Sequence, residues 1–326
     1  MANWNDLPFE MKEMVVKEMD FETRTRLKIC SKSNKQLVES IPISYEFLKI
    51  RVTSTPKNEM VVLFEMENKL KNGLELYMKV EHDRISLTRN SCRSWIKCEN
   101  EEYLVQLMMT SILKNNKLRF EHAFLYFTHP GFISTPNFTL HTKSIVIGGS
   151  PNQVTGWLKN IAPGVESVNV FSIESDGSDR IYRDIEGLGM IPAVINATDF
   201  SIYGNCDIND DQVFNFKGKC LSFQLSSNIS GKGVNQLTKK AIANDYPVGS
   251  SIKMNVTCND KDLFWKEAIE GLDVIGRWKY DEYRNEDGED YNDIQKEELI
   301  KVAEDKQMYI SLVNSVFEMH VVSIND

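Results

Sequence analysis

The chain has 326 residues and a mass of 37.5 kDa, with 41% apolar and 26% charged residues, which excludes a disordered or fibrous protein. Its length exceeds one typical domain and allows two cores, or one small module beside a larger one. A net charge of −9 and a pI near 5.3 argue against a general nucleic-acid binder, because phosphate neutralisation needs a basic surface, and favour a protein partner.

Asp6, Glu10 and Glu13 stand where an export signal needs a basic stretch followed by an apolar one. No apolar run approaches the ~18 residues of a membrane span. A cytoplasmic or nuclear chain with no membrane partner is therefore expected. The cysteines Cys30, Cys92, Cys98, Cys206, Cys220 and Cys258 are too sparse for a disulfide framework and are read as thiols. The Asn-x-Ser/Thr triplets at Asn137, Asn196, Asn228 and Asn255 carry no meaning in a chain that is not exported.

Residues 1–45 read as three short helices. The first is announced by Asp6 as a cap and Pro8 in the first turn, with Leu7, Met11, Met14, Val15 and Met19 on one apolar face. Asp20 caps a second helix whose Leu27 and Cys30 point inward; Ser33 opens a third carrying Leu37 and Val38, and Pro42 ends the module. A segment this short cannot bury its own stripe, so an external helical partner is expected.

The series Trp4-x-x-Leu7-Pro8-x-Glu10-Met11, then Val15 and Met19, then Leu27, Cys30 and Lys32, resembles the F-box motif in order and spacing. That resemblance implies docking on Skp1, and through it on a cullin and a RING subunit, with Trp4, Leu7, Pro8, Met11, Met14, Val15, Met19, Leu27 and Cys30 as the docking set. Met replaces the usual Leu or Ile at Met11, Met14 and Met19, which preserves volume and adds adaptability. Asn34 stands where many F-boxes carry an aromatic residue.

Residues 46–140 read as a β-rich and helical connecting region. Extended segments are expected at Val61 to Phe64, Leu74 to Val80, Arg84 to Leu87 and Ser94 to Ile96, with Asn72-Gly73 as a hairpin signal. Glu101 to Leu113 is expected to be a helix with Leu104, Leu107, Met108 and Ile112 inside.

Residues 141–326 are periodic. Short β-like segments begin near Ser144, Ser167, Thr198, Cys220, Ser251 and Val274, close to a leucine-rich-repeat period. Helical stretches lie between them, clearest in Val154, Trp157, Leu158 and Ile161, closed by Pro163-Gly164, and in Leu263, Phe264, Ala268 and Ile269, closed by Gly271. Helix-strand units of this kind stack into a curved parallel sheet, with an open α/β sheet as the alternative. Ile275 to Tyr283, Gln307 to Leu312 and Val316 to Val322 read as a terminal β cap around an acidic insertion, itself a solvated loop and short helix. The fold class is therefore α+β or α/β: a small all-α module followed by a repeat-like curved sheet.

Asp211 to Ser226, Val234 to Leu237 running into Tyr246 and Ile252, Tyr283-Arg284 with Asp287-Gly288, and Phe317 to Val321 are similar to the F-box-associated type 2 region of nematode F-box families. The family often finishes in Trp where this chain has Val322. The resemblance implies a target-binding domain for a protein substrate that the sequence leaves unidentified.

No catalytic constellation emerges. Ser230-Gly231-Lys232-Gly233 lacks the hydroxyl and leading glycine of a phosphate loop and reads as a turn before a helix. Asp207, Asn209 and Asp211 mimic the start of a calcium loop, but Gln212 replaces its turn glycine and Gly218 its bidentate glutamate. Gly148-Gly149-Ser150 reads as a turn, with Asn152 where a nucleophile elbow needs glycine. His82, His122, His129, His141 and His320 lack metal-ligand spacing, and Cys92 with Cys98 is assigned to the fold. Trp157, Trp265 and Trp278 are expected in the core, any exposed one being an anchor for a partner, and no Arg cluster stands out to read a phosphate. The chain reads as a non-enzymatic adaptor of a Skp1–cullin–F-box ubiquitin ligase without a cofactor or metal. The alternative is a ligase-independent protein that sequesters a toxin or pathogen factor.

Overall fold

A computed structural model of the chain describes residues 4–19, 21–55, 59–67, 73–81, 84–89, 92–97, 100–114, 118–129, 132, 136–172, 174–176, 179–181, 185–256, 258, 260–276 and 296–324. Asp20, Asn72, His82, Cys98, Trp278 and most of the acidic insertion, residues 277–295, lie outside them. The chain forms two compact units, Met1–Val165 and Glu166–Asp326.

The first unit opens with a single 3-10 turn, Trp4–Asp6, and three helices, α1 (Phe9–Glu18), α2 (Phe21–Cys30) and α3 (Lys32–Ser40). Pro8 occupies the N-cap position of α1 without a side-chain cap, so Asp6 does not cap the helix as expected. Ser31, not Ser33, caps α3, accepting a hydrogen bond from the Asn34 amide at 3.1 Å.

A meander follows: β1 (Ile43–Ser54), β2 (Met60–Glu67), β3 (Gly73–Glu81), β4 (Arg84–Arg89) and β5 (Cys92–Lys97), each antiparallel to the one before it. Helix α4 (Glu101–Leu113) then returns the chain to β6 (Leu118–Phe127), which lies parallel to β1, and β7 (Thr142–Gly149) adds parallel to β6. The strand order is β7-β6-β1-β2-β3-β4-β5. Helix α5 (Pro151–Leu158) is entered through the Gly148-Gly149-Ser150 turn, where Gln153 Oε1 accepts from the Ser150 amide at 2.9 Å. Trp157 stacks on Phe127 at 5.4 Å and meets Phe138 edge-on, so it belongs to the core.

Helix α4 has the expected ends but a different inner face. Val105, Met109 and Leu113 are buried, whereas Leu107 is exposed and Leu104, Met108 and Ile112 are half-buried. Both sets satisfy helical spacing, and the buried one is rotated by a single position.

The second unit is built on four parallel strands, β8 (Ser167–Ser172), β11 (Asp199–Tyr203), β12 (Cys220–Ser227) and β13 (Ser251–Val256), which pair in that order. Between β8 and β11 lie a small ribbon, β9 (Glu174–Asp176) with β10 (Asp179–Ile181), a 3-10 turn at Leu188–Met190 and α6 (Pro192–Asn196). Short α7 (Asp210–Val213) precedes β12, α8 (Gly231–Ala243) precedes β13, and α9 (Lys261–Ala268) follows it. Inward residues Val168, Val170, Phe200, Ile202, Leu221, Phe223, Ile252 and Met254 are buried, while the alternate positions are mostly small or polar, apart from Phe171, which stacks on Tyr203. Phe200, Phe216 and Phe223 form an aromatic cluster.

The parallel series stops at β13. Its other neighbour is β17 (Val316–Ser323), antiparallel, followed by β16 (Lys306–Val313), β15 (Lys296–Lys301) and β14 (Val274–Gly276) in an antiparallel set. The segment at Val274 is therefore not a further parallel repeat, and Lys296 to Glu298, expected in a loop or short helix, are in a strand. On α9, Phe264 and Trp265 are buried and Leu263 is exposed, contrary to its expected core position.

Ser230 caps α8 and its Oγ accepts from the Gly233 amide at 3.3 Å. The Asp210 carboxylate accepts from the Ser230 amide at 2.8 Å and from its hydroxyl at 2.5 Å, so this chain's own anion sits at the helix N-terminus. Asn209 caps α7, and Asp207 accepts from the Gly187 amide at 3.0 Å. Asn235 ties α8 to α9 by donating to the Ala268 carbonyl at 2.8 Å.

Gly231 fits because it has no side chain: a Cβ there would lie 2.3 Å from the Phe264 carbonyl oxygen. Gly231→Ala is expected to destabilise the protein by about 1–3 kcal/mol by forcing α8 and α9 apart, whereas Lys232→Ala, at an exposed position, changes stability by less than about 0.5 kcal/mol. Urea unfolding followed by tryptophan fluorescence checks both.

Candidate functional site

The three N-terminal helices enclose a very small core. Val16, Leu37, Val38 and Ile41 are buried, with Trp4, Met19 and Leu27 packed against them. The Trp4 indole N–H donates to Asn34 Oδ1 at 3.1 Å, so the residue that departs from the usual aromatic receives the first turn by hydrogen bonding. Lys28 and Glu39 pair at 3.1 Å between α2 and α3.

The apolar residues expected on one face of α1 divide between two. Val16 and Met19 turn inward, whereas Met11, Met14 and Val15 occupy an exposed arc beside them, with Met14 66% accessible. Pro8 is exposed and Leu7 half-buried at the helix entrance. Cys30, expected to point inward, is exposed and its thiol donates to the Arg26 carbonyl at 3.2 Å. Of the expected docking set, Trp4, Met19 and Leu27 thus hold the module together. Leu7, Pro8, Met11, Met14, Val15 and Cys30 are left at or near its surface.

Two exposed apolar side chains join this surface without having been singled out in the sequence: Phe9 at the start of α1 and Ile29 on α2, the latter 83% accessible. Ile29 sits among Lys28, Cys30 and Ser31, and only its accessibility in the folded chain distinguishes it from a core residue.

Arg24 is the other residue the sequence did not reveal. It is 2% exposed, and its guanidinium donates to the carbonyls of Lys17, Met19, Ile41 and Pro42 at 3.2–3.5 Å. One side chain therefore joins the end of α1, the body of α2 and the link from α3 into β1. Burial pushes the Arg24 pKa down, with the nearby Tyr45 acting in the opposite sense. A guanidinium nevertheless stays protonated at every physiological pH, so all its donors persist.

On the second unit, the solvent-facing side of the parallel strands carries a shallow groove of about 230 Å³. Its floor is made of small residues, Ser201, Ser222, Cys220 and Ser251, and its rim includes Asn169, Asp199, Lys253 and His320. Ser201 Oγ and Asn169 Oδ1 are 2.6 Å apart across β8 and β11, and Lys253 pairs with Glu318 at 2.5 Å across β13 and β17. Burial raises the Cys220 pKa, so its thiol is not activated as a nucleophile. Among the described residues no helix is long and apolar enough to cross a membrane.

The F-box domain model matches residues 4–44. Comparison with curated proteins and with solved structures gives no match. An F-box domain implies, in general, a Skp1-binding adaptor role in Skp1–cullin–F-box ligases, and such proteins are typically adaptors rather than enzymes. Arg24→Ala should destabilise the helical module by about 2–4 kcal/mol, because buried carbonyls lose a charged donor, whereas exposed Met14→Ala should stay within about 0.5 kcal/mol. Limited proteolysis of residues 4–44 and urea unfolding of the full chain distinguish the two.

Proposed function

We propose that this chain is the substrate receptor of a Skp1–cullin–F-box ubiquitin ligase, docking on Skp1 through Leu7, Pro8, Phe9, Met11, Met14, Val15 and Ile29, with Cys30 at the margin. The observation that carries the reading is the exposed apolar arc on α1, inside the segment that matches the F-box domain. A soluble three-helix module does not ordinarily leave such side chains in water, and a partner helix laid against them would remove them from it. Two of the docking residues, Met11 and Met14, are methionines, whose flexible thioethers fit an irregular partner surface.

In this reading Trp4, Met19 and Leu27 act indirectly, by fixing the helices that present the contact residues. The second unit takes the protein target. The serine-lined floor leaves room for a partner's backbone, and the charged and imidazole groups on the rim supply orientation. The resemblance of residues 211–321 to the F-box-associated region supports this division, and chain composition favours a protein ligand. Catalysis belongs to the associated subunits. The receptor contributes effective concentration, making an otherwise bimolecular encounter intramolecular.

Co-expression of the full chain with Skp1 tests the docking reading. The native chain should co-purify with Skp1 stoichiometrically. A Leu7→Ala, Pro8→Ala, Met11→Ala variant should lose about 2 kcal/mol or more of binding free energy, a drop of more than about tenfold in affinity, without a change in its own unfolding midpoint. A stable native chain that emerges without Skp1 would overturn the reading and favour a ligase-independent binding protein.

A further inference from the structure

The first unit carries a second surface, remote in sequence from the F-box segment. Strand β5 ends the strand order, and among the described residues nothing pairs with its outer side. Nearly every side chain on it is accessible: Cys92, Arg93, Ser94, Trp95 and Lys97 are exposed and Ile96 is half-buried. An edge strand of this kind presents backbone donors and acceptors to any extended chain that aligns with it.

Alternation places Arg93, Trp95 and Lys97 on one face of β5. The antiparallel register sets Arg84 of β4 directly opposite Lys97, and so diagonal to Trp95. The Arg84 and Arg93 guanidinium carbons lie 4.6 and 4.3 Å from the Trp95 ring centroid, and the indole is itself 44% accessible. Pairing of β4 with β5 thus assembles an Arg cluster that is not apparent along the sequence. Together β4 and β5 contain four cationic side chains, Arg84, Arg89, Arg93 and Lys97, and no acidic one, a concentration of positive charge that contrasts with the chain's net −9.

Cations along an edge also serve simply to repel another strand. A repelling edge has no use for an exposed tryptophan at its centre, whereas a receiving edge does: aromatic and arginine side chains dominate interface hot spots. A guanidinium held by its flat face against an indole is also fixed for pairing through its edge with a carboxylate. We propose that β5 is a docking edge for an acidic peptide segment in extended conformation, which adds as a further strand and sets alternate carboxylates against Arg84, Arg93 and Lys97 with a side chain over Trp95. This is strand addition with charge-selected register. It does not depend on Skp1 docking, and the assay below contains no Skp1.

The test titrates the full chain into a fluorescein-labelled ten-residue peptide alternating Glu and Val, read by fluorescence anisotropy. Saturable binding that weakens with salt is expected, with a loss of about tenfold or more for Trp95→Ala and for Arg93→Glu, and a smaller loss for Arg93→Lys. The same peptide N-methylated at alternate amides, which removes the donors along one edge, should not bind. Circular dichroism confirms that each variant is folded. The proposal is overturned if the glutamate peptide does not bind, if a lysine-for-glutamate peptide binds equally, if N-methylation leaves binding intact, or if folded variants bind like the native chain.

Discussion

A single buried guanidinium sets the geometry of the N-terminal module. The cluster of Val16, Leu37, Val38 and Ile41 is too small to fix three helices by apolar burial alone. Arg24 adds directional bonds to carbonyls of residues 17, 19, 41 and 42, where the helix ends and the connection into β1 would otherwise leave acceptors poorly satisfied. Because those carbonyls come from both sides of the module, the orientation of α1 relative to the first strand is set by one charge-assisted network. A docking helix can serve an adaptor only if it is held in a fixed attitude, and Arg24 supplies that hold without spending any of the exposed apolar side chains.

This division of labour explains the chemistry of α1. Its apolar content is larger than its own core needs, and the surplus lies exposed on the neighbouring face as Met11, Met14 and Val15. The same economy recurs in the second unit, where one face of the parallel strands is closed by Phe200, Phe216 and Phe223 and the other carries a shallow groove of small and polar residues beside the stacked Phe171 and Tyr203. In both units the residues that build the fold and those left at the surface are separated by the period of the element that carries them.

What could be read in the sequence follows the same logic. The helices at residues 101–113 and 151–158, the meander strands and the parallel strands at Ser167, Cys220 and Ser251 were legible, because periodicity and turn residues agree there. Strands β1 and β6 were not. In β1 burial runs through Ile43 and Tyr45 and then shifts to Leu48, Ile50 and Val52; in its partner it shifts from Phe120 to Ala123. That change of phase breaks the alternation on which a strand is recognised. For the F-box segment, spacing located the helices but could not say which of two adjacent positions, Val15 or Val16, would be buried, since neighbours on a helix differ by only about 100°. Arg24 was illegible for a different reason: its partners are backbone carbonyls, which carry no sequence signature.

Closure of the second unit has a consequence for biosynthesis. Strand β13 completes the parallel series, yet its remaining edge is covered by Val316–Ser323, some sixty residues later in the chain. Until that segment emerges from the ribosome, β13 presents an open edge, with Ile252 and Met254 lacking the neighbouring Met319 and Phe317. The parallel strands can pair with one another beforehand, but the outer edge of β13 stays open until β17 has been made. A message ending prematurely between β13 and β17 would yield a product with an exposed strand edge, making it a client for chaperones and proteases whether or not its F-box segment had folded.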